Sequence, residues 1–333
     1  MKESADSQTA LVTGANGFIG SHLCRELVNH GFRVRALVRK TSNLQFLENL
    51  DLELVFGEIT QPLSLPEAVR GVDYVFHPAG LVKARNRETY FSINRDGTRN
   101  LVEAVLATAP DIKRFVHVSS QAAAGPSRSM TAVLESDPPS PVSFYGESKL
   151  ASEKEVLKRK DKIPVTIIRP PAVYGPRDID VYKFFRLAKA GINPSIGIDP
   201  TYVSIVHVHD LVRCIRMASL SDKAAGETFF ACNREWYSMD TLMRVIGKAV
   251  NRQPIKIAIP IPIAGFIAFL IELVYGLRNT IPPVSRDKLK ELAQKYWICS
   301  AEKAQKVLGW SALISIEEGL YSTSEWYKAK RWL

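Results

Sequence analysis

The pentapeptide YGESK, residues 145–149, places a phenol four residues before an ammonium. On a helix that spacing puts Tyr145 and Lys149 on one face. A tyrosine with a pKa of about 10 exchanges protons poorly at neutral pH unless a neighbouring cation favours its phenolate. Lys149 is such a cation, so the pair can act as a general acid–base at a carbonyl or alcohol oxygen. The plainer reading is an exposed helix pair with no chemistry. Upstream, HVSS (117–120) closes a β-branched run with Ser119 and Ser120, either of which can hold a substrate oxygen.

A second cluster lies near the start of the chain. TALVTGANGFIG (9–20) spaces Gly14, Gly17 and Gly20 three apart, directly after an apolar run. A strand-to-helix turn lined with glycine lets a pyrophosphate reach backbone N–H groups and the helix N-terminus, because no Cβ blocks the approach. Glycine also serves loops that merely turn, so the surrounding elements decide between the two readings.

Those elements form a regular rhythm. Short β-branched runs (ALV 10–12, RVRALV 33–38, LELV 52–55, DYVFH 73–77, RFVHVS 114–119 and VTIIR 165–169) alternate with helical patterns such as SHLCRELVNHG and NRDGTRNLVEAVLATA. Strands separated by helices make βαβ units and a parallel sheet buried on both faces. The expected fold class is α/β, a Rossmann-type doubly wound parallel sheet. After Arg169 the pattern weakens, and a smaller, mostly helical C-terminal substrate lobe is expected. The expected division is a dinucleotide-binding domain over 1–175, with 204–232 returning to it, and a substrate lobe over 176–203 and 233–333.

Composition narrows the partners. The chain has 333 residues, of which 46% are hydrophobic and 23% charged, which is ordinary for a globular protein. Its formal net charge of +10 suits an anionic cofactor or surface. The basic residues are scattered, and no block resembles a nucleic-acid-binding arm. Cys24, Cys214, Cys232 and Cys299 show neither metal-ligand spacing nor a disulfide framework. With the polar start MKESADSQ, which lacks the apolar core of a signal peptide, this points to a cytoplasmic location.

The glycine motif TGANGFIG resembles that of the extended short-chain dehydrogenase/reductases, and the resemblance runs through most of the chain. HPAG (77–80), INRDGTRNL (93–101), HVSS, YGESK and RPPAVYGP (169–176) are each similar to a motif of that family, in the same order. VHVHDLV (206–212) and the final WYKAKRWL are similar to bacterial proteins resembling dihydroflavonol reductases and hydroxysteroid dehydrogenases. The resemblance implies a catalytic set of Ser120, Tyr145 and Lys149. Register against the family favours Ser120 over Ser119, and Lys149 would also hold the nicotinamide ribose. It further implies cofactor contacts from Gly14, Asn16, Gly17, Phe18, Ile19 and Gly20 in the first turn. Glu58 and Ile59 would follow the third strand, Pro78, Ala79 and Gly80 the fourth. Asn94, Val118, Pro170 and Val173 complete that set, with Asn94 equally readable as a structural hydrogen-bonder. His207 and His209, flanking a strand-to-helix junction, are read as packing and capping residues. A homodimer is implied as well, through the helices around 88–107 and 145–160.

Cofactor choice rests on the end of the second strand. NAD enzymes usually place a carboxylate there for the ribose hydroxyls. Here VRKTSN supplies Arg39 and Lys40 instead, and a guanidinium can grip a 2′-phosphate bidentately. NADP is favoured, with NAD as the alternative and a solvated surface arginine as the plain reading. The expected activity is hydride transfer between nicotinamide and a carbonyl or alcohol of a hydrophobic small molecule. A nucleotide-sugar dehydratase would need an acid after Ser120, where Gln121 and Ala122 stand. An NAD-retaining epimerase is the main alternative, and a non-catalytic NADP sensor, which would typically lose Tyr145 or Lys149, a remoter one.

The most apolar stretch is IAIPIPIAGFIAFLIELVYGL (257–277). Its uncharged run, Ile257 to Ile271, is interrupted by Pro260 and Pro262 and falls short of the roughly 20 apolar residues a spanning helix needs. Two readings remain: a buried helix of the substrate lobe, or an apolar wall in peripheral contact with a bilayer.

Overall fold

The structure, a computed structural model, describes residues 8–278 and 280–333. The polar start MKESADS read above lies outside the described residues. Six strands, β1 (Thr9–Thr13), β2 (Arg33–Val38), β3 (Glu53–Phe56), β4 (Tyr74–His77), β5 (Arg114–Val118) and β6 (Val165–Arg169), join Thr228–Phe230 in one seven-stranded sheet. From the Thr228–Phe230 edge the order is β6, β5, β4, β1, β2, β3, and every neighbouring pair is parallel. The order reverses at β1, which leaves a crevice at the carboxyl ends of β1 and β4.

Alternation along the strands explains why helices cover both faces. Ala10, Val12, Phe76, Val116 and Val118 point into one core, packed by Leu23 and Leu27 of helix Phe18–Asn29 and Leu211 and Ile215 of helix Val208–Leu220. Leu11, Val75, Phe115 and Val165 point the other way, against Leu101, Val105 and Val156. The central strands β1, β4, β5 and β6 are accordingly buried at every position, as a sheet covered on both sides requires, while the edge strand β3 is largely exposed.

Helix Phe144–Leu157 carries the YGESK segment. Ser143 caps it, its hydroxyl accepting a 3.1 Å bond from the Gly146 amide. The glycine inside YGESK is required sterically, since a Cβ there would collide with the carbonyl oxygen of Ala122. The helix is tied to β6 by a buried bidentate ion pair, Arg169 to Glu153, at 2.9 and 2.6 Å.

A second hydrophobic core joins Phe185, Leu242, Met243, Ile246, Leu320 and Tyr327 from helices Tyr182–Lys189, Met239–Ala249 and Ile316–Ala329. Small sheets accompany these helices, which the helical pattern of the sequence did not announce. Ile192–Ile196 pairs in parallel with Ile255–Ile259, and Tyr202–Val203 lies between Tyr237–Ser238 and Tyr296–Trp297. Runs of two to five residues carry too little periodicity to read.

The apolar stretch divides at Pro260. Ile255–Ile259 is strand, and helix Ile261–Leu277 begins directly after the proline, which suits a first turn that needs no N–H from it. The buried-helix reading of this stretch is incorrect: only Ala264 and Ala268 are buried, and the larger apolar side chains face outward.

The Arg169–Glu153 pair generates a stability prediction. Arg169→Met leaves the Glu153 carboxylate buried without its partner and should lower the unfolding free energy by about 3–5 kcal/mol. Urea denaturation measures this, and a loss below about 1 kcal/mol would show that the pair does not anchor the helix.

Candidate active site

The glycine turn follows β1 directly. Gly14 has φ +59°, and a Cβ on it would come within 2.9 Å of Ala79 Cα. The Gly17 amide donates to the Gly14 carbonyl at 3.0 Å, and a Cβ on Gly20 would strike that same oxygen. Helix Phe18–Asn29 then starts without a side-chain cap or an acidic residue in its first turn. The glycines let the turn fold tightly against Ala79 and onto its own backbone, and the uncapped N–H groups of the helix start fit an anionic pyrophosphate. Asn16 is half-buried beside the turn, while Phe18 and Ile19 pack on the sheet core.

The neighbouring strand ends supply the other walls. After β4 come Pro78, Ala79 and Gly80, with the Ala79 amide 3.4 Å from Thr13 Oγ1. After β2, Arg39 and Lys40 are exposed, and the Arg39 amide donates to Ser42 Oγ in a tight turn. Glu58 is engaged locally, its carboxylate accepting from Gln61 at 3.3 Å. Ile59 is buried against Gly97. Asn94 is a cross-linker: its amide bonds the backbone of Leu81 in both directions, at 2.7 and 3.0 Å, and donates to Ser148 Oγ at 2.8 Å. Pro170 accepts from the Gln121 amide, and Val173 is partly buried on the core.

Lys149 is buried, and its Nζ donates to the carbonyl oxygen of Val118 at 2.8 Å. A Cβ on Gly80 would sit 3.6 Å from that Nζ and 3.2 Å from Asn94 Oδ1, so the loop after β4 closes directly over the ammonium. Ser120 adopts extended backbone and caps the short helix Gln121–Ala124, its Oγ accepting from Ala122 N at 3.1 Å. Its hydroxyl also reaches the phenol of Tyr145. Ser119 is instead buried, and its hydroxyl has no hydrogen-bond partner among the described residues. The structure therefore brings Ser120, and not Ser119, to Tyr145.

The electrostatics differ from the sequence-based expectation in one respect. Burial pushes the Tyr145 phenol up to about 12; Ser120 opposes this, and the charges of Glu291 and Tyr90 add to it. Burial, and not Lys149, sets the state of the phenol, contrary to the expected cation effect. Burial likewise pulls Lys149 down to about 8, against the opposing charge of Glu153. At neutral pH the phenol is therefore a proton donor and the lysine mostly an ammonium.

Beneath them lie residues that the motif reading missed. His77 bridges Thr13 Oγ1 at 2.7 Å and Thr98 Oγ1 at 2.9 Å, and Thr98 donates to the Asn94 carbonyl at 2.6 Å. His117, paired in register with His77, meets Ser152 Oγ at 2.9 Å. Burial, reinforced by the charge of Lys149, pulls His77 down to about 3 and His117 well below its usual range. Two neutral rings thus floor the site. The matching histidines of HPAG and HVSS were the available signal. His207 caps its own helix, its Nδ1 accepting from the His209 amide at 3.3 Å, and packs at 4.9 Å against the His209 ring.

Residues 10–231 match the model of the NAD dependent epimerase/dehydratase family. The chain is 31% identical over 326 residues to the ceramide reductase of Caulobacter vibrioides, covering 97% of this chain and 95% of that protein. It is 26% identical over 330 residues to the 2-alkyl-3-oxoalkanoate reductase of Shewanella oneidensis, covering 93% and 84%. Among solved structures, MoeE5 in complex with UDP-glucose and NAD superposes with a TM-score of 0.77 at 25% identity, covering 97% of this chain and 99% of that one. The glycine cradle at the switch point and these likenesses agree: the chain belongs to the NAD dependent epimerase/dehydratase family and is an oxidoreductase of the extended short-chain dehydrogenase/reductase type.

Proposed function

We propose that the chain is an NADP-dependent reductase, or dehydrogenase in reverse, acting on a carbonyl or alcohol of a hydrophobic small molecule. The observation that carries this reading is the Tyr145 phenol, protonated at neutral pH, in contact with Ser120 and one helical turn from a buried Lys149. Bound nicotinamide supplies the hydride. Ser120 orients the substrate oxygen, and Tyr145 gives its hydroxyl proton to that oxygen as negative charge builds there. Lys149, held at the Val118 carbonyl, would hold the nicotinamide ribose. The glycine turn, Pro78–Gly80 and Lys149 would hold the cofactor, and Arg39 and Lys40 would receive its 2′-phosphate.

A retained-NAD epimerase is less well supported, because a basic pair replaces the carboxylate at the end of β2. The two similar reductases, one named for ceramide and one for 2-alkyl-3-oxoalkanoates, favour a substrate with long apolar chains. In this reading the cofactor domain takes 1–175 and 204–232, and the substrate lobe the remainder. In this reading the enzyme is also a cytoplasmic homodimer, paired through the helices around 88–107 and 145–160, with a peripheral hold on the membrane.

Tyr145→Phe should lower kcat for NADPH-driven ketone reduction by at least about a hundredfold, as loss of a general acid does. NADPH affinity should stay within about twofold, because the phenol acts on the substrate. A variant keeping a tenth of wild-type turnover would remove Tyr145 from the acid role.

Wild-type protein should bind NADPH at least about tenfold more tightly than NADH, a difference of roughly 1.4 kcal/mol. Arg39→Ala should erase most of that gap in a fluorescence titration. Equal wild-type affinities would make Arg39 a bystander and favour the epimerase.

A further inference from the structure

Surface helices normally turn their bulky apolar residues inward and their polar residues to water. Helix Ile261–Leu277 does the reverse. Its buried positions are the small residues Ala264 and Ala268, and a Cβ on Gly265 would lie 3.8 Å from Leu289 of helix Arg286–Leu292. Its outward side chains include Phe266, Ile267, Phe269, Leu270, Leu273 and Val274, each between 43% and 62% exposed. The neighbouring strand adds Ile255 and Ile257, also exposed. At about 1.5 Å per residue the helix is too short to cross a bilayer, and no described helix is long and apolar enough to do so.

Glu272 is the one acidic or basic side chain on this helix, and it is ion-paired. Arg286 Nε donates to its carboxylate at 2.6 Å and its backbone amide does so at 2.8 Å. The surroundings are basic: between residues 252 and 295 seven lysines and arginines stand against three acids. Such a rim suits anionic headgroups and disfavours a second copy, because a two-fold contact would set like charges against each other.

The same hairpin roofs the catalytic helix. Asp287 accepts from the Phe144 amide at 3.0 Å, Glu291 accepts from the Ser143 hydroxyl, and Lys290 Nζ lies 5.2 Å over the Phe144 ring. Helix Arg286–Leu292 is therefore wedged between the inside-out helix and the first turn that bears Tyr145.

We propose that helix Ile261–Leu277 beds into an anionic phospholipid bilayer surface, and that helix Arg286–Leu292 links this contact to Tyr145, so that a membrane-resident lipid carbonyl reaches the site from the bilayer. The docking stands on the helix alone; the lipid substrate rests on the reductase reading. Co-sedimentation with phosphatidylglycerol-containing vesicles at low salt tests the docking. Wild type should bind, with less binding on pure phosphatidylcholine and at high salt, and Phe266→Ser/Leu273→Ser should reduce the bound-to-free ratio at least about tenfold. Retained NADPH binding shows that the variant is folded, and Phe266→Ser alone should move binding the same way if the double variant is not. Absence of wild-type binding, equal binding by the variants, or wild-type self-association that the variants lose in place of vesicle binding would each overturn the docking. Tyr145→Phe should still bind vesicles while losing turnover, which separates this claim from the reductase reading.

Discussion

Keeping a lysine charged inside a protein requires a partner for each of its donors or nearby negative charge, because burial favours the neutral amine. Lys149 meets that demand with the carbonyl of Val118, the last residue of β5, and with the charge of Glu153 one turn along its own helix. Glu153 is in turn held by Arg169 at the end of β6. The chain of contacts from β5 through Lys149 and Glu153 to β6 fixes the rotation and depth of helix Phe144–Leu157. Tyr145 and Ser120 meet because that helix cannot roll. Gly146 lets it approach Ala122 closely enough for the contact to form.

The same crowding determines the chemistry. Desolvation lifts the phenol and lowers the ammonium, so each sits in the protonation state suited to giving up a proton to a nascent alkoxide near neutral pH. The paired histidines below stay neutral for the same reason and add no competing charge. Glu291 and Asp287, which anchor the roof to the catalytic helix, extend this arrangement toward the outward-facing apolar helix. A site assembled in this way is desolvated, as the proposed reduction of a hydrophobic substrate requires.

Much of this was legible before any coordinates. Glycine spacing after a strand, alternation of β-branched and helical runs, and YGESK mark features with a direct steric or periodic cause. A doubly wound parallel sheet followed from them, and a nicotinamide-dependent oxidoreductase from the family that the motifs resemble, while the strand order emerged only with the fold. Other features have no local signature. Whether Ala264 or Phe266 faces the protein depends on where helix Arg286–Leu292 packs, so the apolar stretch was readable in composition and not in orientation. His77 and His117 matter through their depth under Lys149, and depth is a property of the assembled sheet. The effect of Lys149 on Tyr145 was misjudged for a related reason: spacing gives proximity, while the balance of proximity against burial is tertiary.

The proposed hydride transfer onto a lipid carbonyl can be followed atom by atom. The enzyme would be incubated, in phosphatidylglycerol vesicles containing a long-chain ketone, with NADPH deuterated at the transferring C4 position, and the extracted product analysed by mass spectrometry. One deuterium on the new carbinol carbon, with NADPH consumed in equal amount, is the predicted result. An alcohol free of deuterium, or cofactor oxidation without any alcohol, would contradict a direct transfer assisted by Ser120, Tyr145 and Lys149.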